Sequence, residues 1–363
     1  MKENYHAIGL MSGTSLDGLD MVEVTLNYST ENQWSFTVLN AKTLAYENEL
    51  KEQLIHSKQL SGQELMLLNN RLGDFFGQAV NAFILENKLD KTTIDFIASH
   101  GHTVFHQPDK NFTLQIGSGA EITAKTGINV VCDFRSTDVA LGGQGAPLVP
   151  IGDQFLFSNY DVCLNLGGIA NLSFSQKQQA LAYDVAPCNI VLNTLAQQLG
   201  AEYDESGNFA RNGNVIQELL NELNALTFYA QAPPKSLGIE WIESYVFPLL
   251  EKSSLSIKDQ LCTFVEHIAH QLNTAFPTES KTVLATGGGA WNTFLIERIA
   301  QISNKTIVVP DEKIVNYKEA IIFSFLGVLR MRNEVNCMQS VTGAKIDNVG
   351  GALYLGEVNL LNK

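Results

Sequence analysis

Residues 5–26 open the chain with two apolar stretches on either side of a polar turn that contains two glycines. The second stretch alternates Val22, Val24 and Leu26 with polar residues, the period-two pattern of a half-buried strand. The sequence therefore predicts a β-hairpin. Its glycines let backbone N–H groups come close to an anion, so the turn suits phosphate oxygens. An ordinary hairpin turn without a ligand explains this stretch alone equally well.

The spacing of Gly13 and Gly18 matches the G-x-x-x-x-G part of a P-loop. Leu19 follows where a P-loop requires lysine, so a Walker-type nucleotide-binding loop is disfavoured. Asp17 and Asp20 are carboxylates within or just after the turn. They are candidate ligands for a Mg²⁺ ion that would neutralise bound phosphates.

A second stretch, residues 161–174, repeats this design, with alternating strand residues before and after Gly167 and Gly168. Its distance from residues 5–26 far exceeds the period of a solenoid repeat. The repetition instead predicts a duplicated domain, each copy presenting one glycine hairpin to a shared cleft.

Residues 282–298 contain a third glycine turn, in which a buried strand runs into Gly287–Gly289 and a helix begins near Asn292. This order suits a flat or phosphorylated ligand at a helix N-terminus. A dinucleotide-binding turn is disfavoured because it requires G-x-G-x-x-G early in a βαβ unit.

Several polar residues stand at predicted element ends. A strand predicted to end at Asp184 makes this carboxylate a candidate general base. Arg135 follows a buried strand and suits an anionic group, although a structural Asp133–Arg135 pair is an equal alternative. Glu319, predicted to open an apolar helix, is either a favourable helix cap or a ligand contact.

Three histidines near residue 100 raise the question of a metal site. His100 and His102 flank Gly101 in an elbow after a strand, and His106 follows. No carboxylate or cysteine nearby completes a ligand set, so a metal is disfavoured. Substrate contact by the elbow is the better functional interpretation, because α/β proteins bind ligands at strand ends.

Length and composition bound the remaining possibilities. A chain of 363 residues is expected to form two domains. Five dispersed cysteines without a CxxC pair argue against disulfides and zinc, and no signal peptide or apolar run of eighteen residues is present, which predicts a cytoplasmic protein. A net charge of −14 disfavours nucleic acid and anionic membranes as partners.

Two phosphate hairpins, a late strand–GGG–helix turn and an aspartate at a strand end form the layout of the actin–hexokinase–heat-shock ATPase superfamily. Within it, the chain closely resembles the anhydro-N-acetylmuramic acid kinases. The matching stretches, in family order, are GLMSGTSLDGLD (9–20), SHGHTVFHQP (99–108), DFRSTDVALGGQGAPLVP (133–150), LNLGGIANL (164–172), ATGGGAWN (285–292), EAIIFSFLG (319–327) and VTGA (341–344).

The resemblance implies an α/β protein of two duplicated ribonuclease-H-like α/β domains with a central nucleotide and substrate cleft. The N-terminal domain would comprise residues 1–155 plus about 340–363, and the C-terminal domain residues 156–339. It also implies an ATP-dependent, Mg²⁺-requiring sugar kinase of cell-wall recycling and a homodimer. Such an enzyme opens 1,6-anhydro-N-acetylmuramic acid with water and phosphorylates its C6 oxygen, giving N-acetylmuramic acid 6-phosphate.

The resemblance assigns roles to individual residues. Asp184 would be the catalytic base. The phosphates would be held by Gly13, Thr14, Ser15, Leu16, Asp17, Gly18, Leu19 and Asp20, and at the second turn by Gly167, Gly168 and Asn171; the adenosine side by Gly287, Gly288, Gly289 and Asn292; the substrate by His100, Gly101, Arg135, Gln144, Asn189 and Glu319; and the metal by Asp17 and Asp20.

Two departures from the family pattern affect these expectations. Where the family commonly reads DTGPGN, this chain reads DVAPCN over residues 184–189, and His102 stands where glutamine is usual. If the family glycines use positive φ, Ala186 and Cys188 would be strained there, which bears on substrate specificity. A superfamily kinase for another sugar is therefore one rival. A non-catalytic nucleotide switch is disfavoured, because no peptide-binding segment follows.

Overall fold

The computed structural model describes residues 2–13, 16–31, 33–176, 179–233, 235–252 and 254–357. The chain divides into two compact units, after Leu156 and again after Asn316. The second unit is Phe157–Asn316, and the first combines the segments on either side of it.

The first unit contains a mixed sheet whose strands come from both flanking segments. Its strands are β1 (Asn4–Ser12), β2 (Leu19–Tyr28), β3 (Trp34–Leu44), β4 (Phe96–Gln107), β5 (Phe112–Ile116), β6 (Val130–Cys132) and β12 (Ala352–Tyr354). Its helices are α1 (Asn48–Ile55), α2 (Gly62–Glu86), α3 (Gly119–Thr126), α4 (Ser136–Ala140), α5 (Val149–Leu156) and α14 (Gln339–Thr342).

The second unit has a smaller sheet and a larger set of helices. Its strands are β7 (Val162–Leu166), β8 (Ile169–Gln176), β9 (Gln179–Pro187), β10 (Thr282–Thr286) and β11 (Thr306–Val308). Its helices are α6 (Asn189–Gln197), α7 (Asn208–Arg211), α8 (Gln217–Asn224), α9 (Ile239–Trp241), α10 (Phe247–Lys252), α11 (Ile257–Ala275) and α12 (Thr293–Ser303), and the bounds of α13 (Glu312–Arg332) include the second division point.

The two sheets share one strand order. In the first unit the order is β3–β2–β1–β4–β6–β12, and β5 pairs with the C-terminal half of β4. In the second unit it is β9–β8–β7–β10–β11. In each, three strands form an antiparallel meander, and the first of them pairs in parallel with the fourth, which pairs in parallel with the next. This is the ribonuclease-H-like arrangement, so the predicted α/β duplication is confirmed.

Each unit has a hydrophobic core of its own. In the first, Ile8 and Leu10 of β1 pack in one cluster with Leu72 and Phe76 of α2. Gly9, between them, permits close packing on the other face, because a Cβ there would lie 2.2 Å from the carbonyl oxygen of Ala320 in α13. In the second unit, strands β7, β8 and β10 bury their apolar residues with those of α6, α11 and α12.

Three predicted bounds differ from the structure. Helix α13 begins at Glu312, so Glu319 lies inside the helix and the prediction that it opens the helix was wrong. Strand β9 continues through Asp184 to Pro187. Residues 317–339, expected in the second domain, belong to the first unit, since Phe323 contacts His100 of that unit.

Within the part of the chain that the structure describes, no helix combines the length and apolar character needed to cross a membrane.

Candidate active site

The opening hairpin is present as predicted. Strands β1 and β2 pair from Asn4–Asn27 to Ser12–Leu19, and the polar turn lies between them. Thr14 and Ser15, two of the predicted phosphate-binding residues, lie outside the described residues. Leu16 has a left-handed φ of 59°, and its N–H donates to the carbonyl oxygen of Gly13 at 3.3 Å. Asp17 is exposed in the turn before Gly18, whereas the side chain of Leu19 is fully buried.

Asp20 is the first carboxylate on β2 after the turn. Its Oδ1 accepts a hydrogen bond from Thr43 Oγ1 at 2.6 Å, and Thr43 Oγ1 lies 3.2 Å from the Tyr317 hydroxyl. Burial raises the pKa of the Asp20 carboxyl, the Thr43 hydrogen bond opposes this, and the charge of Asp17 raises it further. A cation at this position would relieve the repulsion between the two carboxylates.

The carboxylate oxygens of Asp17 and Asp20 are ligands that suit a Mg²⁺ ion bound together with phosphates. Among the described residues, no group of three or more His, Cys, Asp or Glu side chains could hold a metal. Mg²⁺ usually binds one or two protein carboxylates and completes its shell with waters and substrate phosphates. Asp17 and Asp20 supply such a pair, so the chemistry of the site agrees with the predicted ion.

A buried hydrogen-bonded chain supports the base of the hairpin. The Tyr46 hydroxyl donates to Ser12 Oγ at 2.6 Å, and Ser12 Oγ lies 3.1 Å from His102 Nδ1. Ser12 and His102 are register partners between β1 and β4. Burial lowers the pKa of His102, which favours its neutral form. His102 therefore acts as a hydrogen-bonding partner of the hairpin rather than as a cation.

Arg135 is held by His100 and Gly145, and His100 lies within β4, so the predicted elbow after a strand at residues 100–102 was wrong. Arg135 Nε and Nη2 lie 3.1 and 2.9 Å from His100 Nε2, and its Nη1 donates to the carbonyl oxygen of Gly145 at 2.6 Å. His100 Nδ1 lies 2.8 Å from the carbonyl oxygen of Gly101, so Nδ1 carries the proton and Nε2 accepts from Arg135. Burial and the charge of Arg135 lower the pKa of His100 to about 3.

The alternative Asp133–Arg135 pair is wrong. Asp133 Oδ1 accepts instead from the Ser136 hydroxyl at 2.5 Å, whereas Arg135 turns to His100 and Gly145. Local spacing suggested a pair of neighbours in sequence, but the strand end directs the two side chains to different partners.

Glu319 of α13 shares this electrostatic environment. Its side chain is reached by solvent, yet the protein atoms around it displace much of the bulk water, and this desolvation raises its pKa. The charges of Arg135 and Lys318 oppose the rise, and that of Asp20 adds to it. The first unit thus brings together the predicted metal carboxylate Asp20 and the predicted substrate residues His100, Gly101, Arg135 and Glu319.

Asp138 organises the loop that follows Arg135, and sequence analysis missed it. The side chain is fully buried. Its Oδ2 accepts from the Gly145 N–H at 2.7 Å, which links it to Arg135 through the Gly145 carbonyl. Gln144, a predicted substrate residue, is exposed, and its N–H donates to the carbonyl oxygen of Thr342. Asp138 Oδ1 accepts from Thr342 Oγ1 at 2.8 Å, Asn348 Nδ2 at 2.9 Å and Cys337 Sγ at 3.1 Å.

In the second unit, the second glycine turn is hydrogen-bonded to the start of α6. Strands β7 and β8 pair on either side of Gly167 and Gly168. The Gly167 carbonyl accepts from Asn189 N at 3.1 Å, and the Gly168 carbonyl from Cys188 N at 2.8 Å. Asn189 Nδ2 also donates to the carbonyl oxygen of Leu166 at 3.0 Å. The predicted phosphate turn and the predicted substrate residue Asn189 are therefore neighbours.

The GGG turn packs against the same strand end. Gly287 has a φ of +80°, and a Cβ there would lie 2.5 Å from Asn165 Oδ1. A Cβ at Gly289 would lie 2.8 Å from the Leu166 Cβ. Asn292 begins α12 as predicted, and its Oδ1 caps the helix by accepting from Leu295 N at 3.0 Å. Asn292 thus has a structural role, and its contact with nucleotide stays a prediction.

Asp184 lies at an irregularity in the edge strand β9. Ala170 pairs with Ala186 and Asn171 with Asp184, so Val185 is an extra residue that forms a bulge. Bulges commonly redirect side chains next to active sites. Asp184 Oδ2 accepts from Leu237 N at 2.8 Å and Ser236 Oγ at 3.0 Å. Burial raises the pKa of the Asp184 carboxyl, and both hydrogen bonds oppose this rise.

The altered loop at residues 184–189 has ordinary φ values at the two positions in question. Cys188 has a φ of −132°, and Ala186 is not among the described residues with positive φ. Both side chains are fully buried. The replacements for the family glycines therefore carry no positive-φ penalty here.

Two units of one ribonuclease-H-like topology, each with a glycine turn between its first two strands, place the chain in the actin–hexokinase–heat-shock ATPase class. The profile of the family described as anhydro-N-acetylmuramic acid kinase matches residues 5–356. The chain belongs to this family, as its motifs indicated.

Several relatives from different bacteria carry the name anhydro-N-acetylmuramic acid kinase. The one from Aliivibrio fischeri is 35% identical, over 96% of this chain and 98% of its own. The one from Hydrogenovibrio crunogenus is 37% identical, over 96% and 97%. The one from Haemophilus influenzae is 35% identical, over 98% of both chains.

Proposed function

We propose that this protein is an ATP-dependent sugar kinase that converts 1,6-anhydro-N-acetylmuramic acid to N-acetylmuramic acid 6-phosphate in cell-wall recycling. The match to the family over residues 5–356 supports the substrate. The observation that carries the chemistry is the setting of Asp184, whose carboxylate is fixed by two hydrogen bonds at a bulge opposite Asn171 of β8 and whose pKa is raised by burial.

The proposed reaction couples two bond changes. Asp184 takes a proton from water as the water oxygen attacks the anomeric carbon, and the bond from that carbon to O6 breaks. O6 leaves with the electron pair and attacks the γ-phosphorus of ATP, which releases ADP. The products are a C1 hydroxyl and a C6 phosphate, so departure of O6 and its phosphorylation assist each other. General-base catalysis of this kind contributes about 10²–10⁴-fold to the rate.

The first unit supplies charge for binding and orientation. Arg135 is held by His100 and Gly145, so its guanidinium is preorganised for the lactyl carboxylate of the sugar. His100 stays neutral because its pKa is lowered to about 3, which leaves Arg135 as the cation of this pair. Glu319, an exposed residue, would contact sugar hydroxyls.

Phosphate binding is assigned to backbone groups and a metal. Gly13–Asp20, Gly167 and Gly168 would hold the phosphates, and Gly287–Gly289 would approach the adenosine. Asp17 and Asp20 would hold Mg²⁺, which supplies charge neutralisation to the phosphates when it is bound. A homodimer and a cytoplasmic location are further parts of this proposal, and they rest on the family resemblance and the sequence composition.

An isotope experiment tests the reaction as a whole. The purified protein is given ATP, Mg²⁺ and 1,6-anhydro-N-acetylmuramic acid in ¹⁸O-water, with other sugars in parallel. We expect one ¹⁸O atom at C1, none in the new phosphate ester, and phosphate at C6 by NMR. Turnover of another sugar with no turnover of the anhydrosugar would favour the rival kinase and overturn the proposed substrate.

A further inference from the structure

We propose that Lys235–Leu237 is the segment that orients the general base, and that Ser236 is a positioning residue which leaves Asp184 Oδ1 as the oxygen that receives the proton. This inference rests on the proposed function, because it concerns the base of that reaction. The sequence pattern indicated no role for any of the three residues.

Asp184 is tied to this segment by three hydrogen bonds. Its N–H donates to the carbonyl oxygen of Lys235 at 3.0 Å. Its Oδ2 accepts from Leu237 N at 2.8 Å and from Ser236 Oγ at 3.0 Å. Among the described residues, both donors to the carboxylate reach the same oxygen. Two donors on Oδ2 fix the rotation of the carboxylate and leave Oδ1 as its more basic oxygen.

The segment itself is anchored at its first residue. Lys235 Nζ donates to the carbonyl oxygen of Phe228 at 3.1 Å and lies 4.5 Å from the centroid of the Phe228 ring. Burial lowers the pKa of Lys235. Phe228 belongs to the short helical turn Thr227–Ala230, and its ring is buried. The donors to Asp184 are therefore carried by a segment fixed on a buried residue.

The other titratable groups near β9 and the Lys235–Leu237 segment have their own positions and partners. They are Lys235, whose ammonium faces Phe228; Tyr183, whose hydroxyl donates to the Ala275 carbonyl of α11; His267, which bonds Asn224 and Tyr229; His270, which pairs with Glu266; and Glu240 of α9, whose Oε2 lies beside Gly238, 2.6 Å from where a Cβ on that glycine would be. None of these charges is among the causes of the Asp184 pKa shift, which are burial and the two opposing hydrogen bonds.

Loss of the Ser236 hydroxyl has a defined consequence. A hydrogen bond to the ionised carboxylate lowers its pKa, so removing one donor raises the pKa of Asp184 further. The acid limb of the kcat profile then moves to higher pH. The carboxylate also gains rotational freedom, which lowers kcat more than it changes KM because the base acts in the reaction step.

The variants are Ser236→Ala, Ser236→Thr and the control Ser244→Ala, which removes a hydroxyl that donates to the Glu240 carbonyl at 2.7 Å. We expect Ser236→Ala to lower kcat about tenfold, with KM within about twofold, given the strength of hydrogen bonds to charged groups. Ser236→Thr should restore the rate, and Ser244→Ala should leave it unchanged. Thermal unfolding of each variant checks that the fold is kept.

A readout independent of turnover separates this inference from the proposed function. The Asp184 carboxyl signal is followed by ¹³C NMR titration and assigned by its loss in Asp184→Asn. A higher pKa in Ser236→Ala than in the wild type supports the inference, even if the anhydrosugar is not turned over and the proposed function falls. An unchanged titration overturns the inference, and so does an equal loss of rate in Ser236→Ala and Ser236→Thr.

Discussion

Asp184 Oδ2 is fixed by Leu237 N and Ser236 Oγ, so an asparagine can take the same position without acting as a base. In Asp184→Asn the amide oxygen would accept from the two donors, and the NH₂ group would replace Oδ1. We expect turnover to fall about 10²–10⁴-fold, the usual contribution of a general base. Binding of ATP, measured by calorimetry, should stay within about twofold because the glycine turns are unchanged.

Glu218→Gln is the matched control, since it removes an exposed carboxylate of the same unit on α8. It should turn over at the wild-type rate. A rate near that of the wild type in Asp184→Asn would remove Asp184 from the role of base.

The sequence singled out Arg135 because it follows a strand, and β6 does end at Cys132. It singled out Asp184 as the end of a strand, but β9 continues beyond Asp184, and the role of this residue as the base stays a prediction. Ser236 was missed because its partner Asp184 is far away in sequence and the two meet at the edge of β9. The sequence also left open an Asp133–Arg135 pair. The structure excludes it, because Arg135 bonds His100 of β4, a residue far from it in sequence.

At the scale of elements, Asp138 joins α4, α14 and the loop that holds Gly145. Four donors from the described residues surround its carboxylate, one on Oδ2 and three on Oδ1. Because Gly145 also accepts from Arg135 Nη1, these contacts connect the carboxyl-terminal part of the chain to the proposed substrate arginine. The sequence indicated only that VTGA (341–344) matches the family, and the structure adds the link from Thr342 to Asp138.

Asp138→Asn should destabilise the first unit. The amide oxygen can still accept from the three donors on Oδ1, but its NH₂ group then faces the Gly145 N–H, which leaves a buried donor unsatisfied. We expect the free energy of unfolding in urea to fall by about 2–3 kcal/mol. Thr342→Val removes one of the four donors and should cost about 1 kcal/mol. Equal stability of Asp138→Asn and wild type would contradict the role given to Asp138.

Elements with strong local patterns were predicted well, and those set by tertiary contacts were not. The hairpin of β1 and β2 and the start of α12 at Asn292 follow from alternation and capping chemistry. The start of α13 at Glu312 was missed because residues 312–318 are largely polar and show no clear apolar repeat of helical spacing. The bulge at Val185 has no local signal, since it depends on the register with β8.

At the scale of the whole molecule, the duplication could be predicted because two strand–glycine turn–strand patterns recur in the sequence. The division after Asn316 could not, since it depends on which core the apolar side chains of α13 enter. Phe323 contacts His100, and Phe325 contacts Trp34, all within the first unit. An apolar helix carries no sequence signal for the choice between two cores.

The second unit is predicted to fold as a separate fragment. Phe157–Asn316 is continuous in sequence and has its own buried core around β7, β10 and α11. Expressed alone, it should unfold cooperatively, with a free energy of unfolding on the order of 5 kcal/mol. It should show no turnover, because Asp20, Arg135 and Glu319 belong to the other unit. Denaturant titration followed by circular dichroism measures the first, and the ¹⁸O assay the second.

The matched control for this fragment is the same segment with Ile268→Asp, which places a charge in the fully buried core and should abolish the transition. A fragment without a cooperative transition would show that its core requires residues of the first unit. Turnover by the folded fragment would contradict the assignment of Arg135 and Glu319 to substrate binding. A fragment that folds but is inactive is the expected result, because Arg135 and Glu319, the proposed substrate residues, are not part of it.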